Sequence, residues 1–250
     1  MQAISVKNLE ILYRQPFTAP VKAVTNLSFD IEFGEIVGFI GLNGAGKTST
    51  IKALMGFQPP EKGDIQILGK AVGSSEGRDS IGFLPEVAMY SPYLTPRETL
   101  RFFGNLSGMS GALLRDRVEE MLSIVKLQDK AKTLNRSLSK GMLQRVGIAQ
   151  ALLSAPQILI LDEVSSGIDP VGRRDLRELL LDQKAKGVTI FFSSHELSEV
   201  EAICDRVLII HRGKLLKSIS AAALKEEVGS IEDYFVDLVA DHDARTGAPV

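Results

Sequence analysis

The order of apolar and helical segments along the chain predicts an α/β fold, a mostly parallel sheet flanked by helices. Three observations carry that reading. Short apolar runs recur without polar alternation, the pattern of strands buried on both faces. Segments of helical spacing stand between them, and strands alternating with helices argue for a parallel sheet covered on both sides. A glycine-rich segment, Gly41 to Lys47, lies where the first buried run meets the first helix.

Taken in order, Ala3–Leu12 mixes β-branched and polar residues, and Ala23–Phe33 alternates before a Gly34-Glu35 turn, so the chain opens with strands. Ile36–Gly41 is the first buried strand, and Lys47–Gly56 is the helix after it. Pro59-Pro60 and Gly63 punctuate a return to strand at Asp64–Leu68. After the strand Ser80–Leu84, helical spacing takes over from Pro85 to about Ser154 and is clearest at Leu113–Val125. Ile158–Leu161 and Thr189–Ser193 are further buried strands, separated by the helical pattern Gly172–Lys186. Val207–His211 precedes an Arg212-Gly213 turn, and Leu224–Val239 reads as helical. Residues 241–250 are polar with Gly and Pro and are expected to form a loose tail after a single domain at 1–240.

Composition excludes several classes. A chain of 250 residues, 44% hydrophobic and 24% charged, is neither disordered nor fibrous and can bury a sizeable core. Its 29 basic and 31 acidic residues leave a net charge of −2, so no nucleic-acid partner is expected. The single cysteine, Cys204, excludes an internal disulfide and a cysteine-rich zinc site, and suits a reducing compartment. No apolar stretch reaches bilayer length and the N-terminus lacks a secretory pattern, which together predict a cytoplasmic chain.

The strongest local signal is Gly41-Leu-Asn-Gly-Ala-Gly46-Lys47-Thr48, a G-x-x-x-x-G-K-[ST] pattern between a buried strand and a helix. Glycines let backbone N–H groups close around phosphates, and the helix N-terminus adds positive potential. The expected nucleotide contacts are Gly41, Asn43, Gly44, Ala45, Gly46, Lys47, Thr48 and Ser49. Lys47 would reach the β- and γ-phosphates, and the Thr48 hydroxyl would join a Mg²⁺ shell. The run Ile158–Leu161 ends in Asp162-Glu163. At the carboxyl end of a parallel strand, Asp162 would face the same crevice and hold Mg²⁺, while Glu163 would polarise or orient the attacking water. Alone, two acids after a strand also fit a plain surface terminus; beside the phosphate loop they read as an ATPase pair.

Three further segments narrow the reading. They are Leu138-Ser139-Lys140-Gly141-Met142 before a helical pattern, Ser166-Gly167-Ile168-Asp169 after the carboxylates, and His195 after the strand Thr189–Ser193. This ordered set resembles the ATP-binding subunit of ABC transporters over about residues 3–220. The resemblance implies a P-loop ATPase core joined by an antiparallel β subdomain and an α-helical subdomain at about 87–154. It implies that Ser139 and Gly141 are signature residues facing the γ-phosphate held by an opposing subunit; Ser139 also fits an ordinary helix N-cap. By the same resemblance His195 is the switch histidine that holds the water with Glu163, and Asp169 is the aspartate that couples two sites across a dimer. Tyr13 resembles the aromatic that stacks on adenine, with Phe17 the rival and core packing the plain alternative.

The sequence departs from the family pattern where Glu86 stands for the Q-loop glutamine; a carboxylate there can still coordinate Mg²⁺ or accept from the water. Lys140 and Met142 replace Gly and Gln in the signature, and Val164-Ser165 replaces Pro-Thr after Glu163. These features resemble the exporter branch whose membrane subunits are separate chains, some of which move polysaccharides, drugs or lipids. The resemblance implies ATP and Mg²⁺, a second ATP-binding subunit forming a homodimer, and a multi-span permease docking near Tyr90, Tyr93, Leu94, Leu100 and Phe102-Phe103. A peripheral place on the cytoplasmic face of the membrane follows. Two other classes fit a phosphate loop: a soluble mechanoenzyme on ribosomes or DNA, and a nucleotide-gated module with little hydrolysis. The single cassette and balanced charge argue against the first, and intact Lys47, Asp162, Glu163 and His195 against the second.

Overall fold

The structure, a computed structural model, describes all residues except 1, 15, 17–18, 73–78, 166, 228–230 and 247–250. In chain order its strands are β1 (Gln2–Tyr13), β2 (Val21–Glu32), β3 (Ile36–Ile40), β4 (Lys62–Ile67), β5 (Lys70–Ala71), β6 (Ile81–Leu84), β7 (Ile158–Leu161), β8 (Thr189–Ser194), β9 (Arg206–His211) and β10 (Lys214–Ser220). The helices are α1 (Lys47–Leu54), α2 (Pro96–Leu106), α3 (Gly111–Ile124), α4 (Lys140–Leu152), α5 (Pro170–Ala185), α6 (Leu197–Ile203), α7 (Ala221–Glu227) and α8 (Ile231–Thr246).

Two sheets result. An antiparallel one runs β2-β1-β4-β5, and a larger one runs β10-β9-β3-β8-β7-β6, parallel except for β10. Alternation within the apolar strands explains how they stack. Val37, Phe39, Ile160, Phe191 and Leu208 point to a core shared with α1 and the antiparallel sheet. Their neighbours Ile36, Ile40, Leu161, Phe192 and Ile209 point to a second core shared with the later helices. Every residue of β3 and β7 is buried, as strands covered on both faces must be. Phe29 stacks on Phe191 at 5.8 Å between centroids, and Phe39 lies 5.3 Å from Phe191, tying the sheets together.

Local chemistry sets the helix starts. Thr95 and Glu98 form a capping box ahead of α2, with Pro96 at the first helical position. Asp169 caps α5 through Gly172 N–H at 2.8 Å with Pro170 behind it, so α5 begins two residues before the expected Gly172. The aromatic segment divides. Leu100 is buried, and Tyr90 and Phe103 pack edge to face at 5.9 Å against the helical core, whereas Tyr93 is 73% and Phe102 52% exposed.

Two expectations need correction. β10 had no signal of its own; it forms because Arg212 (φ 48) and Gly213 (φ 75) both take the left-handed conformation of a tight hairpin, folding Lys214 back onto His211. Where a loose tail is expected from residue 241, α8 continues to Thr246, with Asp243 2.9 Å from His211. Residues 247–250 and Phe17 lie outside the described residues.

Close approaches between layers depend on missing side chains. A Cβ on Gly82 of β6 would stand 2.1 Å from the Ala151 carbonyl oxygen of α4. Backbone cannot yield there as a side-chain tip would. Gly82→Ala is therefore expected to destabilise the chain by about 1–3 kcal/mol, read as a lower urea midpoint; an unchanged midpoint would show that α4 does not rest on β6 this closely.

Candidate functional site

The register of the parallel strands brings the chemistry to one edge. Ile40 pairs with Ser194, Leu161 with Phe192, and Leu84 with Leu161. The residues leaving these strands, Gly41, His195, Asp162 and Glu86, therefore emerge side by side at the carboxyl end, where open α/β sheets bind ligands. A cleft of about 560 Å³ lies there, lined by Gly41 through Ser49 with Ala23, Glu86, Glu163, His195, Leu197 and Phe235.

The phosphate loop owes its shape to glycine. A Cβ on Gly41 would meet the Ile210 carbonyl oxygen at 2.4 Å, and one on Gly46, at φ 110, would meet that of Ala23 at 2.7 Å. Asn43 and Gly44 are exposed at the loop crest, while Ala45, Gly46 and Lys47 are buried. The Thr50 hydroxyl donates back to Gly46 O at 2.9 Å, steadying the first turn of α1. The buried Lys47 ammonium donates to Gly41 O at 2.8 Å and lies 3.2 Å from Glu163 Oε1.

Around the carboxylates the polar groups are closely matched. Glu163 Oε2 lies 2.5 Å from His195 Nδ1, so one carboxylate links the loop lysine to an imidazole at the cleft mouth. The Ser193 hydroxyl donates to Asp162 Oδ1 at 2.6 Å and accepts from the Glu163 N–H at 2.9 Å. Burial holds the Asp162 carboxyl above its ordinary pKa, with the hydroxyls of Ser193 and Thr48 pulling the other way. Glu163 sits at φ 49, a left-handed conformation that costs a non-glycine residue about 1 kcal/mol or more. Its side chain is held there from both ends, by Lys47 and by His195.

These groups suit a nucleotide triphosphate. Glycine-dependent backbone, a helix N-terminus and a lysine can receive phosphates. Thr48 and Asp162 offer the hard oxygen ligands that Mg²⁺ prefers. Glu86 is exposed on the cleft wall. Tyr13 stands beside the loop helix, its hydroxyl donating to Ser49 Oγ at 3.2 Å and its ring partly buried against the antiparallel-sheet core.

Five expected residues are not on the cleft wall: Tyr13 and Asp162, described above, and Ser139, Gly141 and Asp169. Ser139 is exposed and caps α4, accepting from the Met142 N–H at 3.2 Å. Beside it, the nearest heavy atom to a Cβ on Gly141 would be Gly167 O at 4.0 Å. Asp169 is exposed at the start of α5, and Ser166 lies outside the described residues. Sequence reading passed over Ser193, Leu197 and Phe235. Ser193 had a usable signal, since a polar residue closing a wholly buried strand needs a partner. Phe235 had none, because its place depends on how the last helix folds back.

Comparison with known proteins agrees with this geometry. The ABC transporter family profile matches residues 24–166. An uncharacterized ABC transporter ATP-binding protein of Synechocystis is 40% identical over 99% of this chain and 71% of its own length. The bacitracin transport ATP-binding protein of Bacillus licheniformis is 42% identical over 82% of this chain and 67% of its own. Among solved structures, an ATP-binding subunit of an ABC transporter superposes with a TM-score of 0.82 at 32% identity, covering 94% of this chain and 99% of the other.

The raised Asp162 pKa has a thermal consequence. Between the unfolded and folded values the folded chain holds the extra proton, so Asp162's favourable contribution is complete below about pH 3.9 and is lost as pH rises through the folded pKa. Asp162→Asn, without nucleotide or divalent cation, is expected to melt above wild type at pH 7 and to lose that advantage as pH falls towards 3. A variant melting below wild type at pH 7 would contradict a desolvated Asp162.

Proposed function

Because the chain belongs to the ABC transporter family as an ATP-binding, ATP-hydrolysing subunit, we propose that two copies close head to tail around two Mg-ATP and so drive a separate membrane permease. One observation carries this reading. Lys47, Glu163 and His195 form a connected chain over the phosphate loop, yet the exposed Ser139 and the half-buried Gly141 line no part of that cleft. A phosphate loop needs donors on the outer side of the γ-phosphate, and a contribution in trans can be worth roughly 10³–10⁵ in rate. The signature of a second copy would provide it, with Asp169 of each copy at the seam.

In this reading Gly41, Asn43, Gly44, Ala45, Gly46 and Ser49 cradle the phosphates, Lys47 bonds the β- and γ-phosphates, and Tyr13 takes the adenine. Thr48 and Asp162 hold Mg²⁺ with Glu86 beside them; the ion supplies charge neutralisation across the phosphates. A γ-phosphate offers Lys47 a competing anion, which frees Glu163 Oε1 for water. Water oxygen then bonds to the γ-phosphorus as the bridging P–O bond to ADP breaks. Its proton passes to Glu163, which His195 keeps oriented.

No helix among the described residues is long and apolar enough to cross a membrane. The permease would dock beside the exposed Val87, Met89, Tyr93 and Phe102, an apolar surface facing away from the core. The Nod factor export ATP-binding protein of Burkholderia orbicola, 37% identical over 88% of this chain and 74% of its own length, supports an exporter-type role, with a polysaccharide, lipid or drug-like cargo, and a peripheral position on the cytoplasmic membrane face.

Glu163→Gln tests the proposal. Hydrolysis should fall at least about a hundredfold with ATP binding retained, and Mg-ATP should convert the variant from monomer to dimer in light scattering. A monomer at high protein concentration, alone and with its permease, would refute the sandwich.

A further inference from the structure

We propose that Asp243, near the end of the last helix, is a positioning residue for the phosphate loop and acts through the Arg212-Gly213 turn. The inference rests on the nucleotide-site reading above and extends it to a part of the chain far from the loop in sequence. α8 packs on the body of the protein through a stripe at helical spacing: Ile231, Tyr234 and Phe235, then Leu238 and Val239. At one end of this face Phe235 reaches the wall of the nucleotide cleft beside His195 and Leu197. About 12 Å further along the axis, at 1.5 Å per residue, Asp243 meets the β9–β10 hairpin.

There its carboxylate holds both residues that lead into the turn. Oδ1 lies 2.9 Å from His211 Nε2 and 3.1 Å from Arg212 Nε, Arg212 Nε itself lies 3.2 Å from His211 Nε2, and Oδ2 accepts from the Arg212 guanidinium at 3.4 Å. His211 is buried, and its Nδ1 has no partner among the described residues, so the Asp243 contact orients the ring. Arg212 lies at φ 48, where a side chain is strained unless something holds it.

The turn is in turn bonded to the loop. Gly213 N–H donates to Ala45 O at 2.8 Å, and Thr25 N–H donates to Gly213 O at 2.8 Å. Both bonds need the bare glycine, because a Cβ on Gly213 would stand 2.6 Å from Ala23 O. Ala45 lies inside the loop, one residue from Gly46 and two from Lys47. The path from α8 to the phosphate cradle thus runs Asp243, Arg212, Gly213, Ala45. It touches neither Glu163 nor Asp162, so it sets how well the loop is arranged to receive phosphates and leaves the hydrolytic groups alone.

The test uses the full chain, a fluorescent ATP analogue with Mg²⁺, and steady-state hydrolysis. Asp243→Ala should weaken analogue binding and raise KM for ATP by roughly three- to tenfold, with kcat within about twofold of wild type. Asp243→Asn keeps the Oδ1 acceptor and should recover most of the affinity. A folded Asp243→Ala with unchanged affinity, or a loss that Asp243→Asn does not recover, overturns the assignment. Should Asp243→Ala not fold, amide exchange in the wild type decides it. Coupling is reciprocal, so Mg-ATP must slow exchange at Gly213 and in residues 239–246, beyond the reach of Phe235; exchange unchanged there overturns it. A wild type that fails to bind the analogue, like Lys47→Ala, would instead bring down the nucleotide-site reading itself.

Discussion

Asp162 and Glu163 end a strand whose residues are all buried, and the need to satisfy two adjacent carboxylates at that point organises the surroundings. A buried carboxylate without partners is costly, and two together are worse. Ser193 serves both residues with one hydroxyl, Thr48 favours the charged form of Asp162 from the loop helix, and Lys47 and His195 take the two oxygens of Glu163. The partners come from two places, the first turn of α1 (Lys47, Thr48) and the carboxyl end of β8 (Ser193, His195). β8, the phosphate loop and α1 are thereby fixed relative to β7, and the cleft is their common boundary.

The Lys47–Glu163 pair lets two buried charges compensate each other. In the proposed mechanism a triphosphate takes over the lysine, and the carboxylate is released to water in the geometry that His195 and the strained backbone already impose. Binding and activation are then one exchange of partners. The hydroxyl of Ser193 keeps Asp162 in place throughout, which explains why a small polar residue closes an otherwise apolar strand.

Much of this was legible in the sequence, and the reasons are physical. Ile36–Gly41, Ile158–Leu161, Thr189–Ser193 and Val207–His211 could be read as strands because burial on both faces forbids polar residues, leaving unbroken apolar runs. The phosphate loop was legible because close backbone approach demands glycine at fixed spacing. β10 was not, since Lys214–Ser220 is an edge strand, mostly exposed or half-buried, whose existence depends on the left-handed Arg212. Nor was the continuation of α8 past residue 240, which is held by the contact of Asp243 with a hairpin 31 residues earlier. Glu163's backbone conformation arises from tertiary contacts that no local pattern announces, whereas Ser193, a polar residue in a buried strand, announces that it needs a partner but not which one.

The central claim is that one catalytic site takes its halves from two chains. Complementation measures this directly: mix Lys47→Ala with Ser139→Arg, each inactive alone, and assay ATP hydrolysis. In a head-to-tail pair of unlike chains, one site joins the intact loop of the Ser139→Arg chain to the intact signature of the Lys47→Ala chain. The account predicts that activity returns on mixing and rises with the concentration of the mixed dimer. A mixture as inactive as its components would place both halves within a single chain and contradict it.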